Sequence, residues 1–283
     1  MKLNISPIIE VSELLKLVET ENVILVDAST GKQAKINYLE KHLKGALFVD
    51  LNTQLADIKD DVSEGGRHPL PTLEQFEKTL FELGISAKSY VIIYDERNGS
   101  NAAARFWWML KSIGHEKVQV INGGFVEAEK KGFPTTSNVE IASKTEPYKI
   151  EKWTLPLADI SEVEKVATNT NYTVIDVRDT ERYKGKVEPI DLVAGHIPRA
   201  INIPFTTNLN NDNLFLQPTE LKQKYQTVFG DKKAENIIVH CGSGVTACHT
   251  LLAIAYAGLE IPKLYVGSWS EWSRNNKPIA TED

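Results

Sequence analysis

At 283 residues the chain exceeds the usual size of one domain, and 42% hydrophobic with 25% charged residues suits two ordinary globular cores rather than a disordered segment. A formal net charge of −6 argues against wholesale binding to nucleic acid or an anionic membrane surface, and no stretch approaches the roughly 20 apolar residues of a membrane span. A small-molecule or protein partner and a cytoplasmic location are therefore expected.

In chain order, "VSELLKLVE" from Val11 has the apolar spacing of an amphipathic helix, and "VILVDA" from Val23 is a short apolar run ending in aspartate. "YVIIYD" from Tyr90 repeats that strand pattern, "AAARFWWMLKSIG" from Ala102 reads as a helix closed by Gly114, and "KVQVING" reads as another strand. Strands that are apolar throughout and separated by helices imply a parallel sheet covered on both faces.

The second half restates this order. "YTVIDV" parallels "VILVDA", "AGHIPRAINIPF" parallels "EKHLKGALFVDL", "NIIVHC" parallels "YVIIYD", and "ACHTLLAIAYAGL" parallels "AAARFWWMLKSIG". A constant offset of this kind is the mark of a duplicated domain. Two α/β domains are expected, over residues 1–138 and 150–283, joined by a polar linker near residues 136–150.

In open α/β sheets, ligands settle beyond the carboxyl ends of the strands. Cys241 takes that position in the second half and Asp95 takes it in the first, so only one copy carries a nucleophile. Cys241 is followed by Gly242, Ser243, Gly244, Val245 and Thr246 and then a helix pattern. Glycines let successive N–H groups turn inward as an anion-binding nest, the helix start adds more donors, and the two hydroxyls add theirs. A thiol reacts as thiolate, and such a cradle favours negative charge on sulfur. Cys248 lacks that setting and reads as helix packing; neither cysteine lies in a CxxC or CxxH cluster, so no zinc site is expected.

Two chemistries use a cysteine held this way. Cysteine phosphatases need an arginine to clamp phosphate where this chain has Ala247. Sulfur transfer through a persulfide needs the ring of donors and no clamp at that place.

The segments "HLKGALFVDL", "RHPLP", "VIDVRDTERYKG", "GHIPRAINIPF", "CGSGVT" and "YVGSWSEW", in this order, resemble the tandem rhodanese-domain sulfurtransferases that act on thiosulfate or 3-mercaptopyruvate. The resemblance implies two rhodanese-like domains, each a mainly parallel sheet with helices on both faces: a non-catalytic first domain with Asp95 at the cysteine position, and a catalytic second one, the active site lying between them. It implies Cys241 as the sulfur carrier, Ser243 and His68 in proton handling or substrate positioning, and Arg182 on the anionic end of the donor. Gly242, Gly244, Val245 and Thr246 complete the binding loop, with no metal or organic cofactor. "CGSGVT" looks like the loop of mercaptopyruvate-preferring members. The expected partners are a small anionic sulfur donor and a thiol acceptor such as thioredoxin.

The sequence departs from that pattern at Ile190, where mercaptopyruvate enzymes usually place a second arginine, and at Asn52, with Asp50 nearby, where a carboxylate orienting the histidine is usual. Arg178, Lys184, Lys186 and Arg199 are the candidate replacements for the missing arginine. His42 and His196 stand in equivalent turns and read as structural. So do Asp27 and Asp176 at equivalent strand ends, and Trp107, Trp108, Trp269 and Trp272 as packing. The rival reading is a non-catalytic rhodanese-type module that offers its cleft for binding or sulfur sensing.

Overall fold

The apolar runs become the centres of two sheets in the computed structural model, which describes residues 5–96 and 98–282. In the first sheet the strands Ile8–Ile9, Val118–Ile121, Tyr90–Tyr94, Val23–Asp27 and Ala46–Phe48 lie side by side in that order, every pair parallel. In the second the order is Leu157–Ala158, Lys263–Tyr265, Ile237–His240, Thr173–Asp176 and Ile201–Asn202, again all parallel. Strand for strand the two sheets have one topology, as the duplicated sequence requires, and helices flank each.

The central strands are buried along nearly their whole length, which is why they read as unbroken apolar runs rather than as alternation. The helices Ala103–Ser112 and Ala247–Tyr256 are likewise buried around most of their circumference. By contrast, Val11–Thr20 and Leu73–Glu82 bury one stripe each. The latter opens with a capping box in which Thr72 and Gln75 exchange side-chain to backbone hydrogen bonds.

Matching turns carry matching devices. His42 stacks on Tyr38 with ring centres 4.0 Å apart, and its Nδ1 lies 2.6 Å from the Tyr38 carbonyl oxygen. His196 stacks on Tyr183 at 3.8 Å, with its Nδ1 2.8 Å from the Tyr183 carbonyl oxygen. At the strand ends Asp27 accepts from the Ser29 N–H and Asp176 from the Arg178 N–H, each at 2.9 Å. These four residues hold turns, as their repetition in the sequence suggests.

The chain condenses into two compact units that are not contiguous in sequence. One comprises Met1–Asp57, Pro71–Thr154 and Asn213–Phe215; the other comprises Ile58–Leu70, Leu155–Asp212 and Leu216–Asp283. The segment Ile58–Leu70, inside the range 1–138 expected for the first domain, thus belongs to the second unit. The polar stretch expected to be a linker instead packs within the first unit: Tyr148 is buried against His115, and Trp153 leans on Phe76 and Trp108. Among the described residues, no helix is long and apolar enough to cross a membrane.

Candidate active site

The strand Ile237–His240 delivers Cys241 to the carboxyl edge of the second sheet, where the residue is 3% exposed. Two contacts from the helix Ser268–Trp272 shape the loop that follows. The Trp269 N–H donates to the Cys241 carbonyl at 3.0 Å, and the Ser270 N–H donates to the Gly242 carbonyl at 2.9 Å. With those carbonyls turned to the helix, the N–H groups of Gly242, Ser243, Val245 and Thr246 have no protein acceptor among the described residues. The loop is therefore a set of donors left for a ligand.

The two loop glycines differ in what they allow. Gly244 has φ +72°, and a Cβ there would stand 2.5 Å from the Val266 carbonyl oxygen. Gly242 has an ordinary backbone, but a Cβ on it would lie 2.9 Å from Nη2 of Arg67 and 3.6 Å from Nη2 of Arg182.

His68 is brought to the loop by the same helix and the turn that follows it. The Ser270 hydroxyl accepts from the Arg67 N–H at 3.0 Å, Glu271 accepts from the Gly65 N–H at 2.9 Å, and Asn275 donates to the Ser63 carbonyl at 2.9 Å. Gly66, at φ +80°, passes so close that a Cβ would sit 2.3 Å from the Gly267 carbonyl oxygen. Held there, His68 places Nδ1 2.8 Å from the Ser243 hydroxyl.

A cavity of about 270 Å³ opens over the loop, lined among others by Cys241, Gly242, Ser243, Thr246, Arg182, Arg67, Ile190 and Phe205. The expected residues Cys241, Ser243, Gly242, Thr246 and Arg182 thus meet at one place, and His68 joins them through Ser243. Gly244 and Val245 belong to the loop without lining the cavity. A larger cavity of about 410 Å³ lies in the first unit, lined by Ser86, Lys88 and Lys117 among others, and has no cysteine in its wall.

Arg182 donates to Glu188 through Nε at 3.2 Å and Nη2 at 2.7 Å, and through Nη2 to Asp191 at 3.1 Å. Asp191 also accepts from Arg67 Nε at 2.9 Å and from Arg274 at 3.5 Å. Burial raises the Glu188 carboxyl, but hydrogen bonds from Arg182 and from the Asp191 and Ile190 N–H groups outweigh it, so the group titrates below the ordinary carboxylate range. Arg178 is spent on structure: its donors go to Asp176, Glu188 and the Gly195 carbonyl, and its guanidinium lies 4.6 Å over the Trp269 ring. Burial likewise raises Asp176, yet the facing His240 and the Arg178 guanidinium together hold it lowered, and burial lowers the neighbouring His240 against the pull of Asp176. Asp50, two positions before the Asn52 that stands at the usual carboxylate place, caps the short helix Leu51–Gln54 by accepting from the Asn52 and Thr53 N–H groups.

The residues that the sequence left unmarked are Arg67, Glu188, Asp191 and Ser270. Arg67 adjoins the flagged His68 and Ser270 sits inside the flagged "SWSEW", so position beside a motif was the signal available. The first unit offers an instructive counterpart to the loop. Asp95 accepts from the N–H groups of Gly99, Asn101 and Ala103 at 2.8, 3.0 and 3.2 Å, so its carboxylate fills the nest that Cys241 leaves open.

Residues 10–131 and 159–275 each match the rhodanese-like domain family. The chain is 37% identical over 262 residues to a Pseudomonas aeruginosa protein described as a "Probable 3-mercaptopyruvate sulfurtransferase", covering 92% of this chain and 90% of that one. It is 36% identical over 257 residues to the thiosulfate sulfurtransferase of Mus musculus, covering 87% and 82% respectively. The crystal structure of the 3-mercaptopyruvate sulfotransferase SseA of Escherichia coli superposes with a TM-score of 0.75 at 29% identity, over 94% of this chain and 100% of that one. With both halves matched and its relatives covered nearly end to end, the chain belongs to the rhodanese-like family in the paired-domain form of the 3-mercaptopyruvate and thiosulfate sulfurtransferases.

Proposed function

We propose that the protein is a sulfurtransferase that carries a sulfane sulfur on Cys241, taken from 3-mercaptopyruvate or thiosulfate and handed to cyanide or a thiol such as reduced thioredoxin. The observation that carries this reading is the loop: a strand-end cysteine beside N–H donors without protein acceptors, under two guanidiniums.

The donor's anionic end binds at Arg182, whose planar fork suits a carboxylate or sulfonate. The Cys241 thiolate attacks the donor's sulfur, forming an S–S bond as the sulfur–carbon bond of mercaptopyruvate breaks. The electron pair of that bond passes to the departing pyruvate enolate, which takes at carbon the proton given up by the donor's own thiol. His68 and Ser243, 2.8 Å apart, form the proton path. With thiosulfate the leaving group is sulfite, which departs with its charge and needs no proton. The persulfide left on Cys241 is an anion, and the unclaimed N–H groups of Gly242, Ser243, Val245 and Thr246 stabilise it. An acceptor thiolate then attacks the outer sulfur, leaves as a persulfide, and restores the Cys241 thiolate. Neither half-reaction calls for a metal or an organic cofactor.

The first unit acts as a non-catalytic partner, since its nest is taken by its own Asp95. A compartment with a reduced thiol pool, as the cytoplasm has, supplies both the acceptor and the reduced Cys241 that the cycle requires, and the net charge of −6 argues against nucleic acid as partner. Steady-state turnover of 3-mercaptopyruvate and of thiosulfate with a thiol acceptor tests the reading. Pyruvate or sulfite release that stops in Cys241→Ser supports it, and no turnover of either donor by the folded protein overturns it.

A further inference from the structure

We propose that Arg67 supplies the second guanidinium contact to the anionic end of the sulfur donor and so determines specificity at the Cys241 cavity. The inference deepens the reading above and rests on it for the identity of the donor.

Position 190 offers the cavity only an apolar side chain, and Lys184, Lys186 and Arg199 are not among the residues lining it. Arg178 lines it but is 3% exposed and committed to Asp176, Glu188 and the Gly195 carbonyl. Arg67 and Arg182 are different. Their side chains are 24% and 16% exposed, and Nη1 of each has no acceptor among the described residues.

The two guanidiniums are near enough for one small anion. Their Nη2 atoms both lie within 3.6 Å of the point where a Gly242 Cβ would stand, one residue from the nucleophile. They already share one oxygen, Oδ2 of Asp191, at 3.4 Å from Arg67 and 3.1 Å from Arg182. Asp191 pins both forks before any ligand arrives, so little side-chain entropy is lost on binding. A carboxylate or sulfonate that takes the remaining amino groups would be bridged by two cations. An uncharged donor of the same size would gain nothing from them.

The test uses alkylation of Cys241, which needs no sulfur transfer, together with turnover. Iodoacetate carries a carboxylate and iodoacetamide does not, while the reacting carbon is the same; Cys248 is fully buried, and mass mapping assigns the site. In Arg67→Gln the ratio of iodoacetate to iodoacetamide rates at Cys241 should fall about tenfold, the worth of one charged hydrogen bond. KM for mercaptopyruvate should rise by a similar factor with kcat within about threefold. Arg67→Lys, which keeps the charge and loses the fork, should fall between wild type and Arg67→Gln, and it serves alone if the glutamine variant does not fold. An unchanged ratio, or a loss of kcat at constant KM and constant ratio, would show that Arg67 only props His68 and would overturn the proposal. A fallen ratio in a protein that turns over neither donor would keep the anion site and remove the sulfurtransferase reading.

Discussion

The Ser243 hydroxyl and Nδ1 of His68 stand 2.8 Å apart although 175 positions separate them in the chain. Both lie in the second compact unit, because the segment Ile58–Leu70 packs there through Ser270, Glu271 and Asn275. If this pair delivers the proton that the pyruvate enolate needs, its removal should penalise one donor and spare the other. Ser243→Ala and His68→Gln should lower kcat with mercaptopyruvate about a hundredfold while thiosulfate turnover stays within about threefold. Parallel assays of pyruvate and sulfite release check this; equal losses with both donors would count against the proton role.

The two loop glycines should fail differently. Gly244→Ala forces a Cβ toward the Val266 carbonyl at φ +72° and should cost about 1–3 kcal/mol of stability, visible as a lowered Tm. Gly242→Ala meets only side-chain ends, the Arg67 and Arg182 guanidiniums and the Asp191 carboxylate, and should leave stability within about 0.5 kcal/mol of wild type. Its turnover should drop sharply, because the methyl group occupies the space where Arg67 and Arg182 converge. Thermal unfolding and kinetics on the same preparations separate the two effects.

In the first unit Asp95 plugs the nest formed by Gly99, Asn101 and Ala103. Asp95→Ala leaves those N–H groups without their carboxylate and should lower stability by about 1–3 kcal/mol. Millimolar sulfate or phosphate should then restore part of the lost Tm in the variant and do much less for wild type. A variant as stable as wild type would mean that the carboxylate is dispensable.

His115 is 1% exposed, its Nε2 is 3.0 Å from the Ser89 carbonyl oxygen and its Nδ1 is 3.3 Å from the Tyr148 hydroxyl. Burial pushes its pKa down from 6.5 to about 4. A group lowered on folding binds its proton more readily in the unfolded chain, so its stabilising effect is complete above pH 6.5 and is lost as pH falls toward 4. The loss amounts to about 3 kcal/mol across that window. Urea unfolding at several pH values should show this slope, and His115→Gln should flatten it.

Much of this molecule is legible in its sequence because it is written twice. The paired strands, the equivalent turns of His42 and His196, and the strand-end Asp27 and Asp176 could each be read from their counterparts. The loop after Cys241 was legible because its chemistry is local in sequence. The Arg67–Asp191 pair was not, since its partners are 124 positions apart and neither belongs to a repeated segment. Nor could composition reveal that Ile58–Leu70 leaves the first half to join the second unit. That depends on Gly66 passing against Gly267, a close approach that only the folded chain displays.

The most direct measurement is the intact mass of the protein after exposure to 3-mercaptopyruvate or thiosulfate and removal of excess donor. A gain of one sulfur atom, mapped to Cys241, released by cyanide as thiocyanate and absent in Cys241→Ser, is the expected result. Folded wild-type protein that gains no sulfur from either donor, or gains it equally in Cys241→Ser, would contradict a persulfide on that residue.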